Sequence, residues 1–121
     1  MSDMYRENII DLYKHPKNKG VIENPTHECS KNNPLCGDEL TIQLIINENK
    51  VKDIKFLGEG CAISIASTSM LTDKIKKMNI EEVKNLNKDD IIEMLHIPIS
   101  TARLKCALLS LETVKGALEL Q

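Results

Sequence analysis

Leu40, Ile42, Leu44 and Ile46 fall two residues apart, with Thr41, Gln43 and Asn47 largely on the opposite side. A period of two is that of an extended chain with one apolar face, so this segment is a half-buried strand. Asn47-Glu48-Asn49 reads as a turn and Val51 to Leu57 as a second strand, which together make a β-hairpin. Gly58-Glu59-Gly60 breaks that strand, and from about Ala62 to Met78 the period becomes helical. Ile63, Ala66, Met70, Leu71, Ile75 and Met78 then form one stripe. A hairpin with one apolar face needs something to cover it, and the helical stripes supply the cover.

The rest of the chain is mostly helical. Tyr5, Ile9, Leu12 and Tyr13 predict a helix over residues 4–14 that Pro16 ends. Lys17 to Pro34 is polar and turn-rich, with room for an extra strand. Asn79 with Glu82, and Asn87 with Asp90, have the spacing of capping boxes opening two short helices. Pro98 interrupts, and a last helix is predicted over 101–120 with Leu104, Leu108, Leu111 and Leu118 inward. The fold class is therefore α+β, a small antiparallel sheet packed against helices. The charged run from Glu81 to Asp90 is a solvated face.

At 121 residues the chain is expected to be one domain, residues 1–121. It has no Trp, one Phe and two Tyr, so no platform for stacking nucleic-acid bases is expected. Sixteen Lys and Arg against eighteen Asp and Glu give a net charge of -2, without a basic footprint for phosphate backbones. No apolar run approaches the roughly 18 residues of a membrane span. The N-terminus is charged and lacks the apolar centre of a signal peptide. The expected compartment is the reducing cytoplasm, where cysteines serve more often as metal ligands or catalysts than in disulfides.

Four cysteines then carry the functional argument. Cys36 precedes the first hairpin strand, Cys61 precedes the long helix, and Cys106 lies in the first turns of the last helix. In Cys36-Gly37-Asp38 an extended chain would turn a thiol and a carboxylate to the same side. Cys61 gains from a helix N-terminus, and Cys106 from the charges of Lys105 and Arg103; both settings favour thiolate. There is no C-x-x-C pair, so spacing alone leaves open both a shared metal site and buried thiols acting as small hydrophobes.

Longer motifs carry a resemblance. Ile9-Ile10-Asp11-Leu12-Tyr13-Lys14-His15-Pro16-Lys17-Asn18-Lys19-Gly20, Asn33-Pro34-Leu35-Cys36-Gly37-Asp38, Gly58-Glu59-Gly60-Cys61-Ala62-Ile63-Ser64, Ala66-Ser67-Thr68-Ser69-Met70-Leu71-Thr72 and Arg103-Leu104-Lys105-Cys106-Ala107-Leu108-Leu109 occur in order over nearly the whole length. In these the chain resembles the U-type iron–sulfur scaffold proteins: IscU, SufU and the N-terminal domain of NifU. The resemblance implies an α+β sandwich of the SufE/NifU type. It also implies a site of Cys36, Asp38, Cys61 and Cys106 that holds zinc, iron or a [2Fe–2S] cluster. Its implied partners are a PLP-dependent cysteine desulfurase, which hands over persulfide sulfur, and the apo iron–sulfur proteins that receive the product. Cys106 is the expected sulfur acceptor, with Arg103 and Lys105 as supporting charge.

The resemblance implies a scaffold or sulfur carrier, monomeric or weakly dimeric, more than a turnover enzyme. A zinc-dependent sulfurtransferase that never carries a cluster is the alternative, and a purely structural zinc domain a third reading. Ile97-Pro98-Ile99-Ser100-Thr101 stands where IscU proteins have the Leu-Pro-Pro-Val-Lys segment read by a chaperone, and Lys105 replaces their His. The resemblance therefore does not extend to chaperone-assisted transfer. Lys105 and Gly58-Glu59-Gly60-Cys61 look like SufU, yet the insertion SufU proteins carry before the last helix is missing. Cys29 matches none of the motifs and is expected to be an incidental loop thiol. His15, His27 and His96 are expected in turns, packing or surface, with His96 a conceivable substitute for Asp38.

Overall fold

The computed structural model describes residues 3–119. Its elements are α1 (Asp3–Lys14), β1 (His27–Asn33), β2 (Asp38–Asn47), β3 (Lys50–Glu59), α2 (Ala62–Ile75), α3 (Ile80–Lys84), α4 (Lys88–Leu95) and α5 (Thr101–Glu119). The three strands form one antiparallel sheet in the order β1-β2-β3. α5 lies across β1 and β2, while α2 packs between α5 and α1 and touches β3. Strands on one side and helices on the other make the expected α+β arrangement.

The hairpin follows its period. Leu40, Ile42 and Leu44 are buried on the core face, where Ile54 and Phe56 of β3 join them. A register shift between Ile45 and Ile46 breaks the alternation, so Ile46 is only half-buried and Val51 takes the core position instead. β1 falls within the stretch read as turn-rich. Its sequence, His-Glu-Cys-Ser-Lys-Asn-Asn, is polar because only Cys29 and Asn33 are buried.

Both capping boxes form, at Asn79 with Glu82 and at Asn87 with Asp90. Two helix readings need correction. α2 ends at Ile75, three residues before Met78, because Lys77 turns to a φ of 70°. There the Lys77 N–H reaches Val51 O at 2.9 Å and the Val51 N–H reaches Met78 O at 3.0 Å, so the chain is drawn to the start of β3. Nor is α2 buried along one stripe: every residue from Ser64 to Ser69 is buried, since helices and sheet surround it. Its threonine hydroxyls turn back to backbone carbonyls, from Thr68 to Ser64 O and from Thr72 to Thr68 O, whereas the buried hydroxyls of Ser64 and Ser69 have no partner among the described residues. Ser67 instead crosses to α5, donating to Ala107 O at 2.7 Å.

On α1, Ile9 and Leu12 are buried but Tyr13 is exposed. On α5, Leu111 and Leu118 are buried and Leu104 and Leu108 half-buried. The predicted end of that helix at Leu120 lies outside the described residues. No helix among them is long and apolar enough to cross a membrane.

Candidate metal centre

Asn33 and Asp38 are directly paired across the β1–β2 turn. The Cys36 N–H donates to Asn33 O at 3.2 Å, which closes a turn with Pro34 in its second position. Gly37 then takes a φ of 71°, a left-handed conformation that favours glycine. The chain is thus bent at Gly37, not extended as the sequence reading had it, and Cys36 and Asp38 converge through a turn. Asp38 is the first residue of β2 and continues the inward alternation of Leu40 and Ile42, so its carboxyl is wholly buried.

Asp38 meets the start of α2. The Cys61 N–H, at the N-cap of that helix, donates to Asp38 Oδ1 at 3.0 Å. A Cβ at Gly60 would stand 2.5 Å from the same oxygen. Glycine is therefore what lets the backbone close over the carboxylate. Asp38 Oδ2 is buried and has no hydrogen-bond partner.

Cys106 enters from α5, fully buried. Its Sγ lies 3.0 Å from Cys36 Sγ and 3.9 Å from the Asn33 side-chain amide, which donates to it. Burial first, and then hydrogen bonding with Cys36, Asp38 and Cys61, push the Cys106 thiol well above its ordinary pKa. This reverses the expectation that neighbouring cations make Cys106 a ready thiolate: withdrawal from water outweighs them. Arg103 is the cation that engages the site. Its pKa is raised, chiefly by a hydrogen bond with Cys106 and then by the charges of Cys61, Cys106 and Cys36. Lys105 is exposed and forms no ion pair among the described residues.

Cys36, Asp38 and Cys106 thus place three donor atoms within 4.8 Å of one another. The Cys61 sulfur lies outside that set, although Cys61 is near enough to raise the pKa of Cys106. All four cysteines are free thiols. Cys29 is not a loop thiol: it is buried in β1, against Gly116 of α5. His96 ends α4 in a left-handed turn and stacks on Tyr5 with ring centres 4.6 Å apart. Asn33 and Gly60 were not singled out from sequence. Extending the alternation from Leu40 back to Asp38 would have pointed to a buried carboxylate, and so to the need for partners around it.

The donor set suits a metal ion. A wholly buried carboxylate oxygen without a partner is costly unless something completes it. Two adjacent thiols and one such oxygen are the ligands that zinc or iron takes.

The comparisons agree with this chemistry. Residues 4–120 match the family model described as NifU-like N terminal domain. The zinc-dependent sulfurtransferase SufU of Bacillus subtilis is 39% identical over 127 residues, covering 91% of this chain and 86% of the relative. That alignment is longer than the chain, so the relative carries residues within the matched region that are missing here. The iron-sulfur cluster assembly scaffold protein IscU of Escherichia coli K12 is 30% identical, covering 94% of this chain and 91% of its own length. Among solved structures, FiSufU from Fervidobacterium islandicum AW-1 superposes with a TM-score of 0.80 at 32% identity, over 98% of this chain and 99% of that one. With the matched model spanning nearly its whole length, the chain belongs to the NifU-like N terminal domain family.

Proposed function

We propose that this protein is a scaffold for iron–sulfur cluster assembly. It accepts sulfane sulfur at Cys106 and holds iron, a [2Fe–2S] unit or zinc on Cys36, Asp38, Cys61 and Cys106. The donor would be the persulfide of a PLP-dependent cysteine desulfurase, and the recipients apo iron–sulfur proteins in the cytoplasm. The observation that carries this reading is the convergence of Cys36, Asp38 and Cys106 around a buried, unpartnered carboxylate oxygen.

The chain's own groups divide the work. Two thiols of the converged trio bind soft metal strongly, and the single carboxylate is the hard, exchangeable ligand. A permanent structural zinc site favours four Cys or His ligands, so one Asp suits contents that must leave. Cys61 sits at the rim, where the N-cap of α2 holds Asp38 by its backbone and leaves the Cys61 sulfur to close the site. A bound metal supplies positive charge that keeps these thiols ionised at neutral pH. Arg103 adds an exposed positive charge beside the sulfurs, where an incoming persulfide would be drawn.

A zinc-dependent sulfurtransferase that carries no cluster is the second reading, favoured by the 39% identity to a protein of that name. Anaerobic reconstitution with iron, cysteine and a desulfurase separates the two. The scaffold reading expects a stable [2Fe–2S] absorption spectrum. Persulfide on Cys106 with strong desulfurase stimulation and no chromophore would support the second reading instead.

A further inference from the structure

We propose that Cys36 is an internal reductant for a persulfide on Cys106, releasing sulfide and leaving a Cys36–Cys106 disulfide. The inference rests on the reading of Cys106 as sulfur acceptor and goes beyond it, because it says how sulfur leaves.

The geometry is that of a reactive pair. The two sulfurs are 3.0 Å apart, inside their contact distance, while a disulfide bond needs about 2.05 Å. One partner has to move by roughly an ångström, and Cys36 is the one with freedom to do so. It lies half-buried in a turn, followed by Gly37, where a Cβ would meet nothing within 4 Å beyond the adjacent residues of the chain. Cys106, by contrast, is held inside α5 and fully buried, with the Asn33 amide on its sulfur. Cys29 is no competitor. It is four residues along β1 from Asn33, about 13 Å at the rise of a strand, and packs on Gly116.

The step balances without an outside electron donor. Cys36 loses its proton to solvent, and its sulfur attacks Cys106 Sγ, the inner sulfur of the persulfide. A Cys36–Cys106 bond forms as the bond from Cys106 Sγ to the outer sulfur breaks. The outer sulfur departs with the bonding pair as hydrosulfide and takes up a proton from water. The net change converts one thiol and one persulfide into one disulfide and hydrogen sulfide. The two electrons that reduce sulfane sulfur come from the Cys36 and Cys106 pair. Arg103, whose positive charge interacts with Cys106, Cys61 and Cys36, would attract the departing anion. A metal ion bound to both thiolates would block the step, so it belongs to the metal-free chain. Each chain releases one sulfide until a dithiol reductant reopens the pair.

The test uses the full-length, reduced, metal-free protein under anaerobic conditions. It is loaded with glutathione persulfide, desalted, and left without reductant. Sulfide is measured by trapping and the protein by intact mass under non-reducing conditions. The expected course is a gain of one sulfur atom, followed by release of one sulfide per chain. The product is two hydrogens lighter than the reduced chain and contains a Cys36–Cys106 linked peptide. Cys36→Ser should lose sulfide release while retaining its added sulfur, and Cys29→Ser should behave as wild type. Wild type that keeps its added sulfur and releases no sulfide would overturn the proposal. So would movement of the sulfur to Cys36 with no sulfide released, which marks attack on the outer sulfur. No gain of sulfur at any cysteine would overturn the sulfur-accepting reading and this inference with it. Because the wild-type masses alone decide these outcomes, they stand even if a variant fails to fold.

Discussion

The Cys61 N–H donates to Asp38 Oδ1 at 3.0 Å, joining the N-terminus of α2 to the first residue of β2. One carboxylate oxygen is thereby fixed by the backbone, while the other, Oδ2, is buried and unpartnered. A ligand so held is oriented without being saturated. On the proposed function, Asp38 would bind a metal and let it go without unfolding what surrounds it.

Asp38→Ala should therefore retain its contents longer. Removing the hard oxygen leaves the thiolates, whose bonds to zinc or iron exchange more slowly. The loss of bound cluster or zinc to a competing chelator, followed by absorbance, should be several-fold slower than in wild type. Loss at the wild-type rate or faster would mean that Asp38 is not the labile ligand.

Gly60→Ala tests the cradle. Its new Cβ would lie 2.5 Å from Asp38 Oδ1 and 3.1 Å from Asp38 Cγ, in a buried place where the carboxyl has little room to move. A cost of about 1–3 kcal/mol is expected from such overpacking, with weaker zinc binding alongside. Adding Asp38→Ala removes the obstacle, so the double variant should recover part of the melting temperature. Thermal melts of the metal-free proteins measure this.

The raised pKa of Cys106 predicts alkaline destabilisation of the metal-free protein. An unfolded thiol ionises near 9.0, whereas the buried one holds its proton to higher pH. Above the unfolded value the unfolded chain releases a proton that the folded chain keeps, so rising pH favours unfolding. The contribution is fully present below 9.0 and is lost as pH rises toward the folded value. Urea unfolding under reducing conditions should show stability falling as pH rises above 9.0. Cys106→Ser should flatten that slope.

Gly116→Ala probes the other face of α5. A Cβ there would meet Cys29 Sγ at 2.9 Å and Lys31 Cε at 3.0 Å. Lys31 is exposed and its end can swing away, but the buried Cys29 cannot. The clash should outweigh the helix-propensity gain of about 1 kcal/mol. With Cys29→Ala as well, that gain should emerge, and melting curves should place the double variant above Cys29→Ala alone.

The hairpin, both capping boxes and the last helix were legible because each rests on local periodicity or a fixed local spacing. β1 was not, because five of its seven residues are not buried and its apolar content reduces to Cys29. The buried hydroxyls of α2 escaped for a related reason: Ser67 and Thr68 read as a polar face until α1 and α5 are seen to enclose them. At the site, family motifs named Cys36, Asp38, Cys61 and Cys106, and three of these converge. Asn33 and Gly60 stayed hidden because their parts depend on tertiary approach, an amide reaching across to α5 and a missing Cβ over a carboxylate. The pKa of Cys106 was misjudged since adjacent positive charge is visible in sequence and burial is not.

X-ray absorption at the zinc edge of the zinc-loaded protein tests the central claim most directly. The account predicts one zinc per chain bound by three sulfurs at about 2.3 Å and one oxygen at about 2.0–2.2 Å. Asp38→Ala should remove that oxygen, and Cys106→Ser should remove one sulfur. A shell of nitrogen and oxygen alone, or a wild-type spectrum unchanged by both substitutions, would contradict it.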